Sequence, residues 1–140
     1  MKIHYLEPAF AVADTVAPED MPEIRDQGFR AIICNRRPGE EGFVGEDAYA
    51  EAAARAGLEW ISVPVASGQY SDADIDAFGK ALERAPSPIL GFCRTGRRAV
   101  HMWAHARARE PQCNIPLLLK AAHRAGHDPQ PIQEMLESNS

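Results

Sequence analysis

Apolar positions recur along this chain with two different periods. Compact apolar runs at 8–13, 29–34, 58–64 and 88–92, preceded by a short extended start, have the length and composition of buried strands. The stretches between them carry the helical period instead. The spacing predicts a helix over 18–27, with Asp14 or Thr15 as its cap, Glu19 and Asp20 in its first turn, Met21 and Ile24 on one face, and Gly28 as its left-handed stop. An alanine-rich helix over 46–56 ends in the same way at Gly57. Ser71 with Asp74 three residues later reads as a capping box for a helix that presents Ile75, Phe78 and Leu82 and reaches Ala85, where Pro86 and Ser87 break it. A helix over 99–109 turns Val100 and Trp103 inward, shorter helices over 114–125 and 129–136 close the chain, and 137–140 reads as a frayed tail.

Strands alternating with helices of this length imply right-handed βαβ units. The expected fold is α/β: one domain over 1–140, with a mainly parallel sheet of four to five strands flanked by helices on both faces. In such sheets ligands bind beyond the carboxyl ends of the strands, so the loops starting at Asn35, Val65 and Cys93 are the positions to inspect.

Composition narrows the function classes. At 45% hydrophobic and 25% charged residues the chain is of ordinary globular type, and Leu117-Leu118-Leu119 falls far short of the roughly 20 apolar residues that span a bilayer. A net charge of −5 argues against nucleic acid as a partner, so any anion site must be local. The first residues lack the apolar stretch of a secretory signal, which makes a cytoplasmic location the default expectation. The three cysteines, Cys34, Cys93 and Cys113, are too few for a disulfide scaffold and form no Cys-x-x-Cys pair.

One segment carries chemistry. A strand runs into Cys93-Arg94-Thr95-Gly96-Arg97-Arg98 and then into a helix, so the amides of a tight loop converge, with a helix N-terminus behind them, on whatever anion lies over the Cys93 sulfur. Gly96 permits the turn, and three arginines in five residues favour the thiolate form of the nucleophile. Arginines flanking a glycine turn would be costly around an inert buried cysteine. Cys93 and Arg98 are therefore the candidate catalytic pair, and Arg94, Thr95, Gly96 and Arg97 the candidate substrate-binding loop.

At these residues the chain resembles a small bacterial family of sulfurtransferase or phosphatase-like proteins, related to the N-terminal domain of β-lactamase hydrolase-like proteins. The resemblance covers almost the whole chain and rests on three stretches: 28–33 leading to Asn35 and on to Arg37-Pro38-Gly39-Glu40; 57–65; and 93–98. It implies the fold of the cysteine-dependent dual-specificity phosphatases, within the phosphotyrosine phosphatase superfamily, with Cys93 as nucleophile and Arg98 as the anion-binding arginine. In some relatives a metallo-β-lactamase-like, sulfur-oxidising domain accompanies it; none lies within these 140 residues.

Three features point toward sulfur transfer rather than phosphate release. Four residues separate Cys93 from Arg98, as in rhodaneses, where tyrosine phosphatases have five. Ala99 stands where a phosphatase commonly has a hydroxyl for the leaving thiolate, and the loop Val65-Ala66-Ser67-Gly68-Gln69 lacks the usual Asp general acid. Asp72, Asp74 and Asp76 read as helix-start solvation instead. The primary expectation is a rhodanese-type sulfurtransferase that takes sulfur from a small anionic donor, holds it as a Cys93 persulfide and passes it to a thiol acceptor. The alternatives are a phosphatase acting on a phosphoester through the same residues and a non-catalytic oxyanion-binding module.

Other candidates are weaker. Arg37, or less directly Arg36, would bind substrate anion or orient Glu40, against the alternative of a solvated loop. Cys34 could resolve a persulfide but reads more simply as a buried strand cysteine, and Cys113 as incidental. The pairs His101/His105 and His123/His127 have i, i+4 spacing but no third ligand, so no metal and no cofactor is expected, only surface or packing roles, with His101 near enough to the Cys93 loop to tune it.

Overall fold

The computed structural model describes residues 1–138. The extended start becomes β1 (Ile3–Glu7), which turns back into β2 (Phe10–Ala13) as an antiparallel edge pair. A 3-10 turn at Pro18–Asp20 leads into α1 (Met21–Asp26), followed by β3 (Ala31–Cys34), α2 (Glu46–Ala56), β4 (Glu59–Ser62), α3 (Asp72–Arg84), β5 (Ile89–Phe92), α4 (Arg97–Ala108), α5 (Ile115–Arg124) and α6 (Pro129–Ser138). The five strands lie in the order β1-β2-β5-β3-β4, and all pairs except β1–β2 are parallel. The expected α/β sheet is thus present with five strands, and β5 lies at its centre.

Both faces are covered. Alternate residues of each strand separate by face, as a pleated backbone requires. Phe10, Val12, Ile33 and Ile89 join Ile75, Phe78, Val100, Leu118 and Ile132 under α3 to α6, whereas Ala11, Ile32, Leu90 and Phe92 join Met21, Ile24 and Tyr49 under α1 and α2. At the sheet's centre, Gly91 is required by close approach. A Cβ there would stand 2.6 Å from Phe10 Cζ and 2.9 Å from Cε1, so the Phe10 ring fills the space a side chain would need.

Several boundaries differ from the sequence expectation. The predicted helix over 18–27 is split, with prolines at 18 and 22 starting separate turns, and its cap is neither Asp14 nor Thr15; Asp20 Oδ2 accepts from the Ala17 N–H at 2.8 Å. Asp14 instead accepts from the Lys2 and Thr15 amides. Ser71 caps α3 as expected, its Oγ accepting from the Asp74 N–H at 3.0 Å. Of the predicted frayed tail, Glu137 and Ser138 continue α6, with Ser138 Oγ donating to the Glu134 carbonyl, while residues 139 and 140 lie outside the described residues. Among the described residues no helix is long and apolar enough to cross a membrane.

Candidate active site

The central strand delivers Cys93 to the carboxyl end of the sheet. Gly96 there takes a left-handed conformation, φ +88°, and caps α4. That turn folds the chain back on itself, so the Gly96 N–H donates to Cys93 Sγ at 3.2 Å and the sulfur sits almost fully buried at the base of the loop. A side chain at Gly96 would press on the Ala13 carbonyl oxygen at 3.3 Å and on the His127 ring at 3.4 Å. Because the turn ends at Gly96, α4 begins at Arg97, two residues before the predicted start, and Arg98 lies in its first turn. Thr15 Oγ1 donates to the Arg94 carbonyl at 2.9 Å and ties the loop to the exit of β2.

Arg98 is the most heavily bonded side chain of the site. Its Nη1 donates to Glu40 Oε2 at 2.6 Å, to the Val65 carbonyl at 3.0 Å and to the Asn35 carbonyl at 3.2 Å, while Nη2 donates to Glu40 Oε1 at 2.8 Å. A guanidinium has five N–H donors, so this leaves Nε–H and one Nη2 hydrogen, the side-on fork that matches an oxyanion. Arg98 also lies within hydrogen-bonding and electrostatic reach of Cys93. Glu40, Val65 and Asn35 thus fix one edge of the guanidinium, with the Cys93 sulfur within its electrostatic reach.

Glu40 accounts for the loop after β3. The Arg98 hydrogen bonds, opposed by partial burial and helped by the Arg37 amide and the Arg36 charge, pull its carboxyl down to about 2. Of the neighbouring arginines, Arg36 rather than Arg37 is the ordered one. Arg36 is buried, with Nη2 donating to the Glu41 carbonyl at 2.6 Å and its guanidinium 5.3 Å from the Phe43 ring centroid. The Arg37 side chain is exposed and only its backbone N–H bonds Glu40, so orientation of Glu40 comes from the Arg37 amide rather than its guanidinium. Asn35, fully buried, joins the loops: its amide donates to the Phe92 carbonyl and its Nδ2 to the Val63 carbonyl at 2.7 Å.

The remaining loop residues divide by exposure. Arg94, Thr95 and Arg97 are exposed at the rim, with Thr95 Oγ1 accepting from the Arg97 amide. Cys34 lies in the apolar layer under α1 and α2, where burial pushes its thiol up to about 12, so it stays protonated. Cys113 is half-buried against the other layer. His101 and His105 are buried rather than on the surface, and both rings meet Tyr70 edge-on, at centroid separations of 5.8 and 5.7 Å. The Tyr70 hydroxyl is 2.9 Å from His101 Nδ1. Tyr70 did not stand out in the sequence; Asn35 and Glu40 did, as the start of the loop after β3 and as a carboxylate to be oriented, but not as the direct partners of Arg98. Among the described residues no cluster of three or more His, Cys, Asp or Glu could hold a metal ion.

Residues 2–110 match the family described as beta-lactamase hydrolase-like protein, phosphatase-like domain. The chain belongs to this family. A beta-lactamase hydrolase-like protein of Xylella fastidiosa is 34% identical over 129 residues, covering 91% of this chain but only 30% of that protein, so the chain spans under a third of its curated relative. A solved structure of a candidate phosphatase from Neisseria meningitidis superposes with a TM-score of 0.85 at 26% identity, over 100% of this chain and 99% of that one. Pseudomonas aeruginosa TpbA, solved in complex with phosphotyrosine, shares the fold at a TM-score of 0.65 and 12% identity, over 96% of this chain and 90% of its own. These are phosphatase-like structures. The family description and the Neisseria structure favour the phosphatase alternative over the sulfur-transfer reading that the loop length suggested.

Proposed function

We propose that this phosphatase-like domain is a cysteine-dependent phosphatase acting on phosphomonoesters. The observation that carries the reading is the Arg98 guanidinium, clamped by Glu40 along one edge and left with a two-donor fork beside the Cys93 sulfur. In this reading the Cys93 thiolate attacks phosphorus and displaces the ester oxygen, and water then hydrolyses the phosphocysteine. Arg98 and the amides of the loop meet the equatorial oxygens as charge builds on them, with no reorganisation needed at the moment of reaction. The exposed side chains of Arg94, Arg97 and Arg37 add positive potential at the rim and draw the dianion in.

Rhodanese-type sulfur transfer is the second reading. It is favoured by the four-residue spacing from Cys93 to Arg98 and by Ala99 in place of a hydroxyl. Turnover of p-nitrophenyl phosphate that disappears in Cys93→Ser supports the phosphatase. A stable gain of one sulfur atom on Cys93 after incubation with thiosulfate, read by intact mass without any phosphate-ester turnover, would replace it with sulfur transfer.

A further inference from the structure

An ester oxygen leaving as an alkoxide needs a proton, and a positioned acid contributes about 100- to 10,000-fold to such a step. The loop between β4 and α3 is fastened to α4 at both ends. Arg98 Nη1 holds the Val65 carbonyl at 3.0 Å, and His101 Nδ1 holds the Tyr70 hydroxyl at 2.9 Å. Positions 98 and 101 are three apart and share a face of the helix, and helical side chains lean toward the N-terminus, here toward the Cys93 loop. From Val63 to Ser71 this loop holds no Asp or Glu, and Asp72 is turned away into an ion pair with Arg109. Tyr70 is the proton-bearing side chain of the loop that is tied directly to α4.

We infer that Tyr70 donates the proton to the leaving oxygen and that His101 is the positioning residue that aims it. This rests on the phosphatase reading of the Cys93 site. With its hydrogen on Nδ1, His101 donates to the Tyr70 oxygen and leaves the phenolic O–H free for the substrate. The S–P bond forms as the P–O bond breaks, the bonding pair passes to the leaving oxygen, and that oxygen takes the Tyr70 proton. Water then attacks the phosphocysteine and returns a proton to the phenolate, releasing inorganic phosphate and the thiolate.

The surroundings suit both roles. Burial above all, opposed by hydrogen bonds from the Gly68 amide and Ser67 and by the Arg97 charge and helped by the Cys93 charge, makes the phenol hold its proton more tightly than a free tyrosine does, so the donor is loaded at neutral pH. Burial, with the positive charge of Arg97 and the neighbouring His105 and His127, pushes His101 down to about 4 and keeps the imidazole neutral. His105 packs edge-on against the same phenol ring, and Glu134 lines the same cavity as Tyr70 and His105.

The test compares p-nitrophenyl phosphate, whose phenolate departs unprotonated, with glycerol 2-phosphate, whose alkoxide does not. Tyr70→Phe is expected to lower kcat/KM for the glycerol ester about 100-fold more than for the aryl ester. His101→Leu should reproduce that split, and His101→Asn, whose amide can stand in for Nδ1, should narrow it. Equal effects of Tyr70→Phe on both esters, or a wild-type protein that turns over only the aryl ester, overturn the role of Tyr70 and leave the phosphatase intact. Failure of the wild type on both esters removes the phosphatase reading, and the proton donor with it.

Discussion

Glu40 and Arg98, 58 positions apart in the chain, meet edge to edge through two hydrogen bonds of 2.6 and 2.8 Å. The pair is largely out of water, with side-chain exposures of 21% for Glu40 and 10% for Arg98. Its geometry does two things at once: it offsets the cost of burying a guanidinium under the loops, and it fixes which donors remain for an anion.

Replacing Glu40 by Gln should therefore damage both stability and function. Breaking a buried ion pair by removing one partner costs about 3–5 kcal/mol, and the partial exposure of Glu40 brings the expectation to about 2–3 kcal/mol, readable by urea unfolding. Anion affinity should fall as well, because Arg98 loses the partner that holds its fork toward Cys93. Arg98→Lys should keep the charge and lose most of the turnover, since an ammonium has no fork to offer. Full activity in Glu40→Gln would mean that the pair only supports the fold.

Stability should decline in two steps as pH falls. His101 is neutral in the folded protein down to about 4, against 6.5 when free, because it is buried beside Arg97, His105 and His127. Below pH 6.5 the unfolded chain takes up a proton that the folded one refuses, so stability drops between 6.5 and 4, with buried His105 and half-buried His127 acting in the same direction. Glu40 works lower: its folded value of about 2, against 4.5, stabilises the protein above 4.5, and that contribution is lost as pH falls from there toward 2. Denaturant midpoints measured across this range should show the upper step shrink in His101→Asn and the lower one shrink in Glu40→Gln.

What the sequence revealed follows the range of the interactions involved. The turn at Gly96 between Cys93 and Arg98 is legible because a strand, a turn and a helix start lie within one short segment. The partners of Arg98 come from other loops, from Glu40, Asn35 and Val65, and no local pattern foretells which carboxylate or carbonyl will arrive. Arg36 and Arg37 are chemically identical neighbours; the buried one is chosen by the Phe43 ring and the Glu41 carbonyl, both contributed by the folded loop. The i, i+4 spacing of His101 and His105 gives them a common face, and what packs there, the Tyr70 ring from the loop before α3, is supplied by a distant segment that no local pattern announces. The start of α4 was placed late because apolar periodicity begins at Ala99, whereas the helix is started by the backbone of Gly96.

Two glycines separate stability from activity. Gly91→Ala drives a methyl into the Phe10 ring at 2.6 Å in the central strand, an overpacking expected to cost about 1–3 kcal/mol and to lower Tm. Gly96→Ala has more room, with its nearest contact at 3.3 Å, but sits at φ +88°, so it should cost about 1 kcal/mol or somewhat more and displace the amide that faces Cys93. The expected pattern is a greater loss of Tm for Gly91→Ala and a greater loss of turnover per unit of stability for Gly96→Ala. The opposite ordering would detach the left-handed turn from the chemistry.

Cys34 offers the sharpest contrast with Cys93, since both are buried cysteines at the ends of neighbouring strands. Cys34 faces the apolar layer under α1 and α2, where burial pushes its thiol up to about 12, and its Sγ accepts from the Arg36 N–H at 3.4 Å. A phosphatase needs only one thiolate, whereas a persulfide relay could use a second thiol to take the sulfur onward. Cys34→Ala should therefore keep aryl phosphate turnover and cost only about 1 kcal/mol for the small cavity it leaves. Iodoacetamide at about pH 8 should leave Cys34 unmodified in the native protein and label it once urea has unfolded the chain. A folded Cys34→Ala that has lost activity would make Cys34 a participant, and would move the balance back toward sulfur transfer.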